Sequence, residues 1–161
     1  MFLLDTEVVA ALRGAKSQPA DAGLPAWARS MPHEQLFLSA LSLIELEAAA
    51  RAPRDKGTVA RLQAWLDGQL LPAFEGRILP VDLAVARRRR SLPLADDRDA
   101  LLAATALEHG LTLATRRGAA YKPARVRLID PFAYAPEDDL DWREAARTAG
   151  PQWIKNLFVR G

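Results

Sequence analysis

Asp5, Glu45 and Asp99 are the side chains in this sequence best suited to chemistry. Asp5 ends the apolar run "FLL" at the N-terminus, where a carboxylate on a buried strand is costly to desolvate. Glu45 lies in "SLIELEAAA", in what the pattern predicts is the first turn of a helix, and Asp99 opens "DALLAATALEHG". Three carboxylates brought together repel one another, and burying them unpaired is prohibitive. A divalent cation resolves the conflict, and hard oxygen donors favour magnesium or manganese. Such a cation bridges to a phosphate, orients a water and stabilises the oxyanions of an in-line displacement. Each acid also has a purely structural role open to it. Asp5 and Asp99 can cap helices, Glu45 can be an acid near a helix start, and neighbouring Asp96 and Asp97 leave the choice of Asp99 open. Residue types and spacing alone therefore reach an α/β domain with a candidate metal site.

The elements that must position these acids are short strands alternating with helices. Residues 2–5 read as a buried strand, with Thr6 capping a helix over about 7–14 that Gly14 ends. Pro19 and Gly23 mark a loop, and "PAWARSM" reads as a helix. "QLFLSA" (35–40) reads as a second strand, and "SLIELEAAARA" (42–52) as a helix capped by Ser42. "TVARLQAWLDGQLLPAF" is helical in its spacing, "GRILPVD" (76–82) extended, and "LAVARRRRSL" a basic helix. A helix over 99–110 closed by Gly110 leads into strands "LTLAT" (111–115) and "RVRLID" (125–130). This alternation predicts a parallel sheet with helices on both faces. In such a sheet, sites form beyond the carboxyl ends of the strands, where the three acids would converge. From Pro136 the pattern changes to an acidic stretch and two helical pieces broken at Gly150 and Pro151. The expected organisation is a domain over 1–135 with a helical C-terminal extension over 136–161.

The chain has 161 residues, half of them apolar, enough for one sizeable core. Its formal net charge is +2, with 22 Lys and Arg against 20 Asp and Glu, which permits a phosphate-bearing partner without requiring one. It has no cysteine, so disulfides and Cys-type zinc or redox sites are excluded. No stretch approaches the ~20 apolar residues that span a bilayer. Without a charged-then-apolar leader, a cytoplasmic location is expected.

Several segments together resemble the PIN-domain ribonucleases, most closely the VapC/FitB-like toxins of bacterial toxin–antitoxin pairs. They are "FLLDTEVV", "FLSALSLIELEAAA", "FEGRILPVD", "DALLAATALEHGLTLATR" and "VRLIDPF", in that order over roughly 1–134. The resemblance implies a three-layer α/β/α fold with a central parallel sheet of four or five strands. It also implies an endoribonuclease dependent on Mg²⁺ (or Mn²⁺), held inactive by a cognate antitoxin. Asp5, Glu45 and Asp99 match the family's acids, which selects Asp99 over Asp96 and Asp97. Thr6 and Thr115 match hydroxyls that support the acids or the metal's water, and Arg116 matches a basic position that would approach the RNA phosphate.

The departures concern charge. Relatives usually read Asp-Thr-Asn where this chain has Asp5, Thr6 and Glu7. They carry Asn or Asp where it has Arg117, often an Asp where it has Ala120, and a Glu where it has Ala11. Either Glu7 supplies part of the missing negative charge and a metal still binds, or Arg117 reaches into the acids and replaces the cation. In a third arrangement Arg117 turns to solvent. The expected function is a nuclease with a weakened metal site. The alternative is a PIN-like binding module in which Arg117 replaces the metal. A phosphatase using Asp5 as nucleophile is disfavoured, because Glu7 stands where a second Asp is wanted.

Of the remaining features, the four arginines at 87–90 cannot share one helix face, and read as a solvated helix with one or two acid partners. Arg116, Arg117, Lys122 and Arg125 are better placed for an RNA backbone. His33 and His109 lack the spacing of a zinc site, and the four tryptophans read as packing residues. Apolar helices over about 7–14 and 42–66 suggest a homodimer with a groove for a partner segment, with packing in the chain's own core as the alternative. Packing on its own domain is the expectation for "QWIKNLFVRG" in the tail, with self-inhibition in that groove as the alternative.

Overall fold

The computed structural model describes residues 1–14, 23–52 and 55–135. The expected tail helices, with Trp142 and Trp153, lie outside the described residues. In chain order the elements are β1 (Phe2–Leu4), α1 (Thr6–Gly14), α2 (Gly23–Ser30), β2 (Leu36–Ser39), α3 (Ala40–Arg51) and α4 (Lys56–Trp65). A π-helical turn, Leu66–Leu70, leads to α5 (Leu71–Ala73), β3 (Ile78–Leu79), α6 (Leu83–Arg89) and α7 (Asp97–Glu108). β4 (Thr112–Ala114), α8 (Gly118–Tyr121) and β5 (Leu128–Ile129) follow.

All strand pairs are parallel, in the order β3-β2-β1-β4-β5. The extended segment "GRILPVD" thus supplies the fifth strand. Because successive residues of a strand point to opposite faces, Leu3 and Leu4 are both fully buried but feed different cores. Leu4 packs with Val8, Trp27, Leu38 and Phe74 on one face. Leu3 packs with Leu102, Leu113 and Tyr121 on the other. Trp27 and Trp65 are buried packing residues, the former edge-on to Phe2 at 5.4 Å between centroids.

Close approach of α2 to the chain after β5 requires Gly23. A Cβ there would stand 2.3 Å from the carbonyl oxygen of Phe132 and 2.7 Å from that of Tyr134. Gly110 closes α7 in the left-handed region, at φ +65°.

Helix starts differ from the sequence expectation at α1, α3 and α7, and α2 begins at Gly23, the residue read as marking a loop. Thr6 is the first residue of α1 rather than its cap, and the Asp5 carbonyl accepts from Val8 and Val9 instead. Ser39, not Ser42, caps α3, accepting from the Leu41 amide at 3.2 Å. Ser42 is buried inside the helix, where its hydroxyl has no capping amide to meet. The early start puts Glu45 in the second turn of α3, not the first. Asp96 caps α7 through the Asp99 amide at 2.8 Å, so α7 starts at Asp97, and Asp99 lies inside the helix's first turn with its side chain available for other contacts.

Candidate active site

The chain runs from β1 outward through β2 and β3, then returns to the other side of β1 as β4. The reversal of strand order between β1 and β4 opens a crevice at their carboxyl ends. Asp5 follows β1 and Thr115 follows β4, so these two residues flank it. Asp5 is fully buried and Thr115 nearly so. The Thr115 hydroxyl donates to Asp5 Oδ2 at 2.7 Å. α3 brings Glu45 to the same place, fixed by a hydrogen bond from the Thr6 hydroxyl to Oε2. The first turn of α7 brings Asp99.

What joins the three acids is Arg98. Its guanidinium donates to Asp5 Oδ1 at 2.6 Å through one terminal nitrogen and to Asp99 Oδ1 at 2.7 Å through the other, while Nε donates to Glu45 Oε1. Arg117 forms a second pair, bidentate on Asp99 at 2.9 Å and 2.6 Å. It therefore neither turns to solvent nor takes the central place, which is Arg98's. The buried Tyr121 hydroxyl reaches Asp99 Oδ1 at 3.0 Å and Asp5 Oδ2 at 3.4 Å. Glu7 sits at the margin, accepting from the Arg116 amide at 2.8 Å and the Thr115 hydroxyl at 3.2 Å. The Arg116 guanidinium stacks over Phe132, 3.6 Å from its centroid.

The electrostatics follow from these contacts. Burial alone would raise the Asp99 pKa, but hydrogen bonds from Arg117, Arg98 and Tyr121 outweigh it and hold the carboxyl below its ordinary value. Burial opposes the charge on Arg98 as well, and its bonds to Glu45 and Asp5 reverse the effect and raise its pKa. Burial, then the charges of Asp5 and Asp99, push the Tyr121 phenol up, so it is a neutral donor.

The donor set has the chemistry of a site for a hard divalent cation: three carboxylates from three elements, two of them braced by threonine hydroxyls. Among the described residues, no group of three His, Cys, Asp or Glu side chains stands close enough to hold a metal ion; the guanidinium of Arg98 lies between the three acids. The donor types fit such a cation, and they are arranged about the guanidinium of Arg98, which bonds all three carboxylates.

Arg98 and Tyr121 are the participants that sequence reasoning missed. The one signal for Arg98 is its position directly before Asp99, inside the acidic stretch "ADDRDA". The arginines at 87–90 lie elsewhere: Arg88 pairs with Glu108 at 2.6 Å and Arg89 with Asp97. The histidines are also remote from the acids. His33 contacts Arg77, and His109 is the C-terminal cap of α7.

A five-stranded parallel sheet in this order, with acids gathered at its switch point, defines a class, and the sequence matches that class as the PIN domain over residues 2–126. The chain belongs to the PIN-domain family. Among its relatives, a VapC ribonuclease, Y4jK of Sinorhizobium fredii, is 34% identical over 141 residues, covering 82% of this chain and 98% of that one. Toxin FitB of Neisseria gonorrhoeae is 33% identical over 140 residues, covering 82% and 99%. The crystal structure of FitAcB from Neisseria gonorrhoeae superposes with a TM-score of 0.75 at 33% identity, over 83% of this chain and 99% of that one. VapBC2 from Rickettsia felis, bound to a DNA fragment from its promoter, shares the fold at a TM-score of 0.60 and 19% identity, over 80% and 96%. No helix among the described residues is long and apolar enough to cross a membrane.

Proposed function

We propose that this protein is a metal-dependent endoribonuclease, the toxin of a toxin–antitoxin pair, that hydrolyses RNA phosphodiesters. The observation that carries the reading is the convergence of Asp5, Glu45 and Asp99 on one cationic centre at the sheet's switch point. Kinship with a VapC ribonuclease and with toxin FitB supports it. Asp5, Glu45 and Asp99 would hold Mg²⁺ or Mn²⁺. When bound, the cation supplies charge neutralisation at the scissile phosphate and Lewis acidity toward water.

The chain's own residues set the geometry. Thr6 fixes the carboxylate of Glu45, and Thr115 fixes that of Asp5. Tyr121 spans Asp5 and Asp99 through its hydroxyl, with its ring buried in the core. Arg116, Lys122 and Arg125 offer positive charge to the RNA backbone. The leaving oxygen takes its proton from solvent, since His33 contacts Arg77 and His109 lies at the opposite end of α7 from Asp99.

A binding module without catalysis is the second reading, and one observation favours it: Asp99 is held by two guanidiniums at once. Cleavage of a structured RNA with Mg²⁺ or Mn²⁺ separates the two. Wild type should cleave and lose activity with chelator, and Asp99→Asn should be slower by about 100-fold or more. Wild type that binds RNA without cutting it would move the assignment to the binding module.

The partners follow from the same kinship. FitB is a toxin by name, and on that kinship we assign this chain a cognate antitoxin, a homodimeric state and work in the cytoplasm. Ile44, 62% exposed on α3, gives such a partner an apolar anchor. Light scattering that finds only monomers at high concentration would remove the dimer.

A further inference from the structure

We propose that Arg98 is a cation built into the acid cluster that holds the divalent cation's place and must be displaced before metal binds. The inference rests on the metal-dependent reading above and adds a residue that controls it. A single guanidinium contacts carboxylates from the end of β1, from α3 and from α7. These are the same three acids that would ligate the metal. Magnesium needs oxygens at about 2.0–2.1 Å on all sides of one point. Carboxylate oxygens that already accept short bonds from a guanidinium at that point cannot also meet there. Arginine and metal are therefore alternatives.

The two ends of the interaction differ in freedom. Asp5 is fully buried and the Asp99 side chain is 6% exposed, whereas the Arg98 side chain is 26% exposed, as much as that of Glu45 at 27%. Arg98 stands on the first turn of α7. Rotation about its own side-chain bonds takes the guanidinium into solvent without moving the helix. The acids stay where Thr6, Thr115 and Tyr121 brace them. Charge favours the exchange once metal is abundant, because a divalent ion brings two positive charges to three carboxylates where arginine brings one.

Arg117 plays a different part. It touches Asp99 alone among the three acids, pairing with both of its oxygens, and is 44% exposed. It weakens one ligand without filling the centre. Arg98 is thus a positioning residue: it keeps the metal-free cluster folded and sets the metal concentration at which the site loads.

The test is binding of Mn²⁺ alone, by calorimetry, to the full chain as wild type, Arg98→Gln and Arg98→Lys, with melting temperatures recorded with and without Mn²⁺. Arg98→Gln should bind Mn²⁺ at least ten-fold more tightly than wild type. It should melt lower without metal and gain more on adding it. Arg98→Lys, whose single ammonium cannot span three carboxylates, should fall between them, and it carries the test if the glutamine variant does not fold. In wild type, the NMR signal of the Arg98 Nε–H should shift as Mg²⁺ is added. Equal Mn²⁺ affinities across the three proteins would overturn the role of Arg98 while leaving metal dependence intact. Absence of Mn²⁺ binding by all three would overturn both.

Discussion

Replacing Asp5 by Asn asks whether the acid cluster is held together or merely tolerated. The side chain is fully buried. Its Oδ1 accepts from Arg98 at 2.6 Å and its Oδ2 from Thr115 at 2.7 Å, with Tyr121 at 3.4 Å. Asn has nearly the same shape but one acceptor, and its amide must point donors at either Arg98 or the hydroxyls. A hydrogen bond to a charged group contributes about 1.5–3 kcal/mol. Orphaning a buried charge outright costs about 3–5 kcal/mol. Arg98 keeps Glu45 and Asp99, so the loss should stay near the lower range, about 2–3 kcal/mol. For a chain of this length that lowers the melting temperature by roughly 5–10 °C. The assay is thermal and urea unfolding in chelator, so that no metal contributes. A variant as stable as wild type, or more so, would refute the reasoning. It would mean that repulsion among the carboxylates exceeds what Arg98 returns to them.

Three further outcomes follow from the structure. Tyr121→Phe removes the hydroxyl shared by Asp99 and Asp5 but keeps the buried ring, and should lower stability by about 1–2 kcal/mol in urea unfolding. Gly23→Ala drives a Cβ into the Phe132 and Tyr134 carbonyls, and should cost about 1–3 kcal/mol, read as a lower melting temperature. Burial, with the nearby Arg77 charge, lowers the His33 pKa from its ordinary 6.5, so the folded state takes up its proton at lower pH than the unfolded state does. Stability should therefore fall as pH drops through 6.5 toward the folded-state value. Urea midpoints of wild type and His33→Gln should diverge in that window, and parallel curves would contradict the assignment.

The alternation of strands and helices was legible because it is written in local pattern. "FLL", "LFLS" and "LTLA" are short apolar runs between helical segments, and the two-residue period of a strand already assigns Leu3 and Leu4 to opposite faces. Helix starts were less legible. Ser39 and Ser42 are equally good caps by residue type, and the choice fell to the serine at the end of β2, where the backbone is still extended. The same holds for Asp96 and Asp99: one caps the helix, which leaves the other to turn inward.

The sequence by itself determined which residues were candidates: the acids at 5, 45 and 99, their threonine neighbours, and an order of elements able to bring them to one edge. Tertiary structure alone decided what lies between those acids. Arg98 meets Asp5 across 93 positions of chain and Glu45 across 53, and a long side chain on a helix rim takes whichever partners the fold delivers. Local pattern fixes a backbone's path because each residue constrains its neighbours. The pairing of a guanidinium with buried carboxylates is a contest among distant charges, and folding settles it.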